Sequence, residues 1–422
     1  MARAVPIAHN SLRVFLQEMQ VLSAYDKLGL SPIINAAGTL TRLGGTVMLA
    51  EVRDAMSQAA NELVPMEELQ AVASAVIAQC CGSEAGIVSS GASAGMTLAT
   101  AACMVGLDIA AMDRLPGATG GRNEVVICRT HRNSYDHAFR AAGATLVEVG
   151  MSDRLAGVGV REPELWEIDA AITERTAAIG FTAGSASGPT LGAVSALARR
   201  RGVPVIVDAA AQLPPPSNLR RFVAEGADLV SFSGGKALRG PPGTGILAGR
   251  RDLIASAALQ QLDMDVSFEM WNPPAGLISK EKLAGVPRHG IGRGYKVGRE
   301  QIVGLITALR LFTEERVVAD HARWMDLLQT LEHGLQQCSK ATAMLVRPAQ
   351  ALGFPLLEIH LNEAALGFTA CELAARLKNG RPPIYVGERK IAQGCIGIHP
   401  VNLDEAAART VLHRLLAELQ RG

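Results

Sequence analysis

The chain has 422 residues, of which 48% are hydrophobic but only 4% aromatic, with 43 glycines. Lys+Arg number 41 and Asp+Glu 40, so the basic excess typical of nucleic-acid-binding domains is missing, and few aromatics are present to stack on single-stranded bases. A chain of this length builds its own core, and seven cysteines without a C-x-x-C pair argue against a disulfide framework or zinc ribbon and for a reducing, cytoplasmic setting.

In chain order, residues 1–30 read as an N-terminal helical extension, with a helix over Ser11–Leu28 and no continuous apolar core of a signal peptide. Strands are predicted at Gly86–Ser89, Glu124–Cys128, Thr145–Val149, Ala177–Thr182, Val203–Asp208, Asp228–Ser233 and Gly245–Ala248. Helices are predicted between them, at Ser93–Val105, Tyr135–Ala142, Glu164–Ile172, Ala193–Arg201 and Asn218–Glu225. The uncharged run Ala85–Leu107 is broken by Ser89 to Gly95. A strand, a turn and a buried helix account for it better than a membrane span. A long helix starts near Arg299 and runs past Leu311, and the remainder holds two or three amphipathic helices with strands at Leu356–Leu361, Ile384–Val386 and Gly394–Ile398. Alternating strands and helices with near-continuous apolar strands predict an α/β fold: a seven-stranded, mainly parallel sheet covered on both faces, with a smaller C-terminal α+β domain. The expected bounds are 31–310 for the large domain and 311–422 for the small one.

Three segments carry chemistry. In Ser231-Phe-Ser233-Gly-Gly-Lys236, a strand ends in two hydroxyls, two glycines and an amine. The glycines permit a sharp turn, and the lysine falls at a strand end, where open α/β sheets place their sites. The P-loop pattern fails here because position 237 is Ala, and no S-D-N or K-T-G accompanies Ser233-x-x-Lys236. In Val205-Ile-Val-Asp208, an apolar strand ends in one carboxylate, and the prolines 214–216 that follow disfavour an N-cap role. The turn Ser90-Gly91-Ala92-Ser93-Ala94-Gly95 leads from a strand into a helix whose N-terminal N–H groups suit an anion. Together they describe a pyridoxal-phosphate site. The phosphate rests on Gly91, Ala92 and Ser93 with help from Ser231 and Ser233, Asp208 faces the pyridine nitrogen, and Lys236 forms the Schiff base.

With Ile34-Asn-Ala-Ala-Gly38, Arg129-Thr-His131-Arg132-Asn-Ser-Tyr-Asp136 and Gly292-Arg293-Gly-Tyr-Lys296-Val-Gly298 added, the chain resembles fold-type I pyridoxal-phosphate enzymes. More narrowly it resembles the selenocysteine synthase (L-seryl-tRNA selenium transferase) family and metabolic relatives such as D-glucosaminate-6-phosphate ammonia-lyase. The resemblance spans residues 34 to 300. It implies pyridoxal 5'-phosphate as cofactor, Lys236 and Asp208 as its two main partners, and His131 as a residue stacked on its ring. The substrate anion is expected on Arg42, Arg132, Arg239 or Arg293, since arginine binds carboxylate and phosphate in bidentate fashion. The transfer-RNA-handling members carry a further domain ahead of the I-N-A-x-G segment, whereas only 34 residues precede Asn35 here. No basic face is evident either, which favours a small-molecule substrate over nucleic acid. No metal and no membrane partner are expected.

The expectation is therefore a cytoplasmic, homo-oligomeric lyase that removes ammonia from a small hydroxylated amino compound by α,β-elimination. Racemisation, aldol cleavage and selenium transfer are the alternatives.

Overall fold

The computed structural model describes residues 23–117, 121–153, 159–184 and 188–421. Most of the expected N-terminal helix lies outside these residues, and its described end is a short 3-10 turn, Asp26–Leu28. Fourteen strands occur among the described residues: β1 Ile34–Ala36, β2 Ala85–Ser89, β3 Glu124–Cys128, β4 Thr145–Val149, β5 Met151–Asp153, β6 Gly159–Arg161, β7 Thr176–Thr182, β8 Val205–Asp208, β9 Leu229–Ser233, β10 Gly245–Gly249, β11 Ala341–Val346, β12 Leu356–Leu361, β13 Ile384–Val386 and β14 Cys395–Ile398.

Contacts divide the chain into two compact units. The larger takes Thr39–Arg323 and Pro348–Phe354; the other takes the residues up to Gly38, Trp324–Arg347 and Pro355–Gly422. The boundaries read from the sequence differ. Strand β1, expected in the large domain, pairs in parallel with β13 and so joins the smaller unit.

The larger unit is built on a seven-stranded sheet of order β2-β10-β9-β8-β7-β3-β4. All strands are parallel except β10, which runs antiparallel to both β2 and β9. Alternate residues of one strand face opposite sides, and here both sides are apolar. Val88, Val126, Ile179, Val205, Val207, Val230 and Phe232 enter one buried cluster. Ile87, Val125, Ile127, Ala178, Ile206 and Leu229 enter the other. The helices Met66–Cys81 and Leu191–Arg201 cover the first side, and Ala92–Val105 and Arg251–Gln261 the second. This double cover is why the strands read as continuous runs of Val and Ile.

The helix from Arg299 stops at Leu311 instead of running on, and a new one covers Glu314–Leu335. Thr313 sets the break: its hydroxyl accepts from the Arg316 N–H at 3.3 Å, an N-cap for the second helix. The smaller unit holds the antiparallel sheet β11-β12-β14. Leu357, Ile359, Ile396 and Ile398 of that sheet pack with Leu373, Leu377, Val411 and Leu415 of two helices. No helix among the described residues is long and apolar enough to cross a membrane.

Candidate functional site

Strand register gathers the chemistry at one edge of the large sheet. Thr182 pairs with Asp208, and Asp208 with Ser231. Ser233 pairs with Gly245, and Gly245 with Ser89. The C-terminal ends of β2, β7, β8 and β9 therefore lie side by side, where an open α/β sheet leaves its crevice.

The lysine loop leaves β9 through two glycines that close packing makes obligatory. A Cβ on Gly234 would stand 2.2 Å from Thr244 Oγ1, and one on Gly235 would stand 2.4 Å from Pro242 Cα. Thr46 fixes the loop from outside, its buried hydroxyl 3.0 Å from the Gly235 carbonyl and 2.8 Å from that of Lys236. Gly45, at φ 78°, approaches so closely that a Cβ would come within 2.7 Å of the Gly235 oxygen. Sequence reasoning missed both residues. The signal was Leu43-Gly-Gly-Thr46, a glycine-rich run whose partner lies about 190 residues on.

The turn after β2 behaves as an anion cradle. Gly91 takes φ 108° at the N-cap of Ala92–Val105, and the Ser89 hydroxyl donates to the Gly91 carbonyl at 2.9 Å. The N–H groups of the first helical turn precede any intrahelical partner, so they are available to a phosphate.

Ser231 does not share this task as expected. It is fully buried, and its hydroxyl donates to the Ala92 carbonyl at 2.9 Å. It props the turn from the sheet below, while Ser233, one pleat further out, is half-buried. Gly95 allows this contact, since a Cβ there would sit 2.6 Å from Ser231 Oγ.

His131 follows β3 and is buried, with its ring edge-on to Phe181 at 4.6 Å between centroids. Its backbone carbonyl is held by the Thr182 hydroxyl at 2.9 Å. Nδ1 is buried and has no hydrogen-bond partner among the described residues, and burial pushes the imidazole below its ordinary pKa. Burial likewise raises the Asp208 carboxyl, against the Ala210 N–H at 3.0 Å and the Lys236 charge, which both lower it. The Lys236 amine is pushed down by burial, and Asp208 pulls it back up. A desolvated amine gives up its proton more readily than a free lysine, the direction that a nucleophile or proton acceptor requires.

The arginines are less available than the sequence suggested. Arg132 is bonded to both Asp136 and Glu148, and Arg293 to Asp263 at 2.6 Å. Arg239 adopts φ 54°, donates to the Val47 carbonyl at 3.2 Å and lies 4.0 Å from Asp320. Arg42 is exposed on the turn Thr41–Leu43. A substrate anion at Arg132, Arg239 or Arg293 must compete with a carboxylate already in place.

The donor set fits a phosphorylated pyridine aldehyde: a helix N-terminus for phosphate, a carboxylate for a ring N–H, an amine for the aldehyde and a buried imidazole at the edge. Comparison with known proteins points the same way. The chain is 33% identical to 5'-C-glycyluridine monooxygenase-decarboxylase of Streptomyces sp, over 93% of this chain and 90% of that one. It is 29% identical to D-glucosaminate-6-phosphate ammonia lyase of Salmonella typhimurium, over 93% and 96%. A solved structure of D-glucosaminate-6-phosphate ammonia-lyase superposes with a TM-score of 0.77 at 27% identity, covering 94% of this chain and 98% of the other. The fold is that of fold-type I pyridoxal-phosphate enzymes, and the cofactor is pyridoxal 5'-phosphate. Residues 33–267 match the family described as L-seryl-tRNA selenium transferase, and the chain belongs to that family.

Proposed function

We propose that this protein is a pyridoxal-phosphate-dependent lyase that removes ammonia from a small, hydroxylated amino compound, an amino-sugar acid or a β-hydroxy amino acid. The observation that carries the reading is the near full-length likeness to D-glucosaminate-6-phosphate ammonia-lyase, joined to a desolvated Lys236 facing Asp208 at the sheet edge. Bound pyridoxal phosphate supplies an electron sink for a bond broken at the substrate's Cα.

The chain's own residues do the rest. Gly91, Ala92 and Ser93 hold the phosphate at the helix N-terminus. Asp208 keeps the ring nitrogen protonated, a role its pairing with a cation restores against burial. His131, which burial biases toward its uncharged form, would stack on the ring. Lys236 would anchor the cofactor, and its amine would serve to move the Cα proton. Loss of that proton and of the β-hydroxyl gives an enamine. Water then converts the enamine to a ketone and ammonia, with no net change in oxidation state.

A second reading rests on the 33%-identical relative, whose name specifies oxygen insertion and decarboxylation of a glycyl-uridine. In that case CO₂ rather than a proton leaves Cα. Amino-sugar acids, β-hydroxy amino acids and glycyl nucleosides offered to the cofactor-loaded enzyme separate the two. Ammonia without oxygen uptake supports the lyase, whereas CO₂ release with oxygen uptake replaces it with the second reading.

A further inference from the structure

The smaller unit contains a cluster unconnected with this chemistry. On the antiparallel sheet, the residues of one face enter the core: Leu357 and Ile359 of β12, Ile396 and Ile398 of β14. The alternate residues, on the opposite face, are Glu358 and His360 of β12 and Cys395 and Gly397 of β14. His360 stands directly across from Cys395, and Glu358 from Gly397. A face turned away from a core is ordinarily solvated, yet Cys395 is 1% and Glu358 5% exposed. The segment between β13 and β14 covers them. Its backbone is tied to β14 through Gly387 and Gly397, and Lys390 reaches in from it.

The three donor atoms of Glu358, His360 and Cys395 lie within 4.8 Å of one another, the one such group among the described residues. Cys395 Sγ is 3.8 Å from His360 Nε2, and that nitrogen is 3.4 Å from Glu358 Oε2. Two donors on a tetrahedral zinc ion, bound at about 2.0–2.3 Å, stand roughly 3.3–3.6 Å apart. Two of the three edges therefore already approach those of a coordination polyhedron, and the third is within 4.8 Å. The side chains come from adjacent strands, so the backbone rather than rotamer chance sets the spacing.

We propose that Glu358, His360 and Cys395 form a site for a divalent zinc-class cation, with a fourth position open on the half-exposed side of His360. Thiolate, imidazole and carboxylate are the zinc donor set, and a thiolate excludes magnesium and calcium as the preferred ion. Lys390 does not block this arrangement. Its ammonium lies 2.6 Å from Oε1 and 2.9 Å from Oε2. Oε2 is the oxygen beside His360, so coordination there displaces its 2.9 Å bond from Lys390 and leaves Oε1 with the ammonium as the outer hydrogen bond that ligating carboxylates commonly keep. The thiol now points at the Ile396 carbonyl, 3.6 Å away. Coordination replaces that contact and releases the thiol proton to solvent.

Cobalt(II) titration of the cofactor-loaded protein tests the site, because a tetrahedral thiolate-cobalt complex absorbs to the red of the cofactor. One equivalent, displaceable by zinc, is expected in the parent protein. Cys395→Ser, His360→Ala and Glu358→Gln should each weaken binding at least about tenfold while retaining the cofactor's own absorption, which reports folding. Any variant that loses the cofactor is judged by the other two. Absence of these bands in the parent, or their survival in folded variants, overturns the proposal; the latter would place the metal on the cofactor or elsewhere.

Discussion

Burial pushes the Asp208 carboxyl up and the Lys236 amine down, the two shifts on which their proposed roles draw. Replacing Asp208 with Asn keeps the shape and the Ala210 contact on offer but removes the charge. Turnover of Asp208→Asn should fall about 10²–10³-fold, the scale of losing one preorganised electrostatic partner, with cofactor still bound. Steady-state rates beside the visible spectrum measure both. Thr46 presents the opposite case, a residue with no chemistry. Its hydroxyl holds the carbonyls of Gly235 and Lys236, and Thr46→Val leaves those buried acceptors short of a donor. A loss of about 1–3 kcal/mol in unfolding free energy and slower cofactor loading are expected from denaturation curves and reconstitution kinetics.

At the scale of elements, the helix Ala92–Val105 is set onto the sheet by the absence of a side chain at Gly95. Gly95→Ala would drive a methyl to 2.6 Å from Ser231 Oγ, at about 1–3 kcal/mol for overpacking. Ser231→Ala in the same chain should recover part of it, since the clashing oxygen is gone. Urea midpoints of the two single variants and the double give the coupling. If the double variant were as unstable as the sum, the contact would not be the cause. Much of this layout was legible. Val205-Ile-Val is β-branched and apolar, Leu229-Val-Ser-Phe is largely apolar, and Asp208 and Lys236 follow their ends. The job of Ser231 was not legible. Two serines one residue apart look equivalent in a strand, and only the helix packed 139 residues upstream separates a prop from a half-exposed hydroxyl. The ion pairing of Arg132 was not legible for a similar reason: its partner Glu148 sits on the neighbouring strand. Arg251–Gln261 escaped notice because it is buried all round from Leu253 to Gln261, and Met66–Cys81 because its buried stripe holds polar Gln70 and Ser74 while Val72 lies exposed outside it, which blurs the 3.6-residue period.

For the whole molecule, acid should be the destabilising direction. His399 is held at a pKa of about 4 by burial, and its Nδ1 accepts from the Val401 N–H at 3.3 Å, a bond that protonation breaks. The unfolded chain binds that proton near pH 6.5, so between pH 6.5 and 4 it holds more protons than the native state. Stability then falls as pH falls through that window, by at most about 3 kcal/mol from this residue. His131 acts in the same direction. Thermal midpoints should drop below pH 6.5 and flatten in His399→Asn. An unchanged profile would remove His399 from the account.

The near balance of 41 basic and 40 acidic residues bears on partners, because transfer RNA is held largely through phosphates. No retention of transfer RNA is expected at physiological salt, and tight, salt-sensitive binding would redirect the proposal toward the other branch of the family.

Lys236, delivered by the Gly234-Gly235 turn beside Asp208, is proposed to carry the cofactor. Borohydride reduction of the yellow protein followed by peptide mapping tests it most directly. One pyridoxyl group is expected, on the peptide containing Lys236, and none in Lys236→Ala. Reduction that labels a different lysine, or a parent protein that takes up no pyridoxal phosphate, would contradict it.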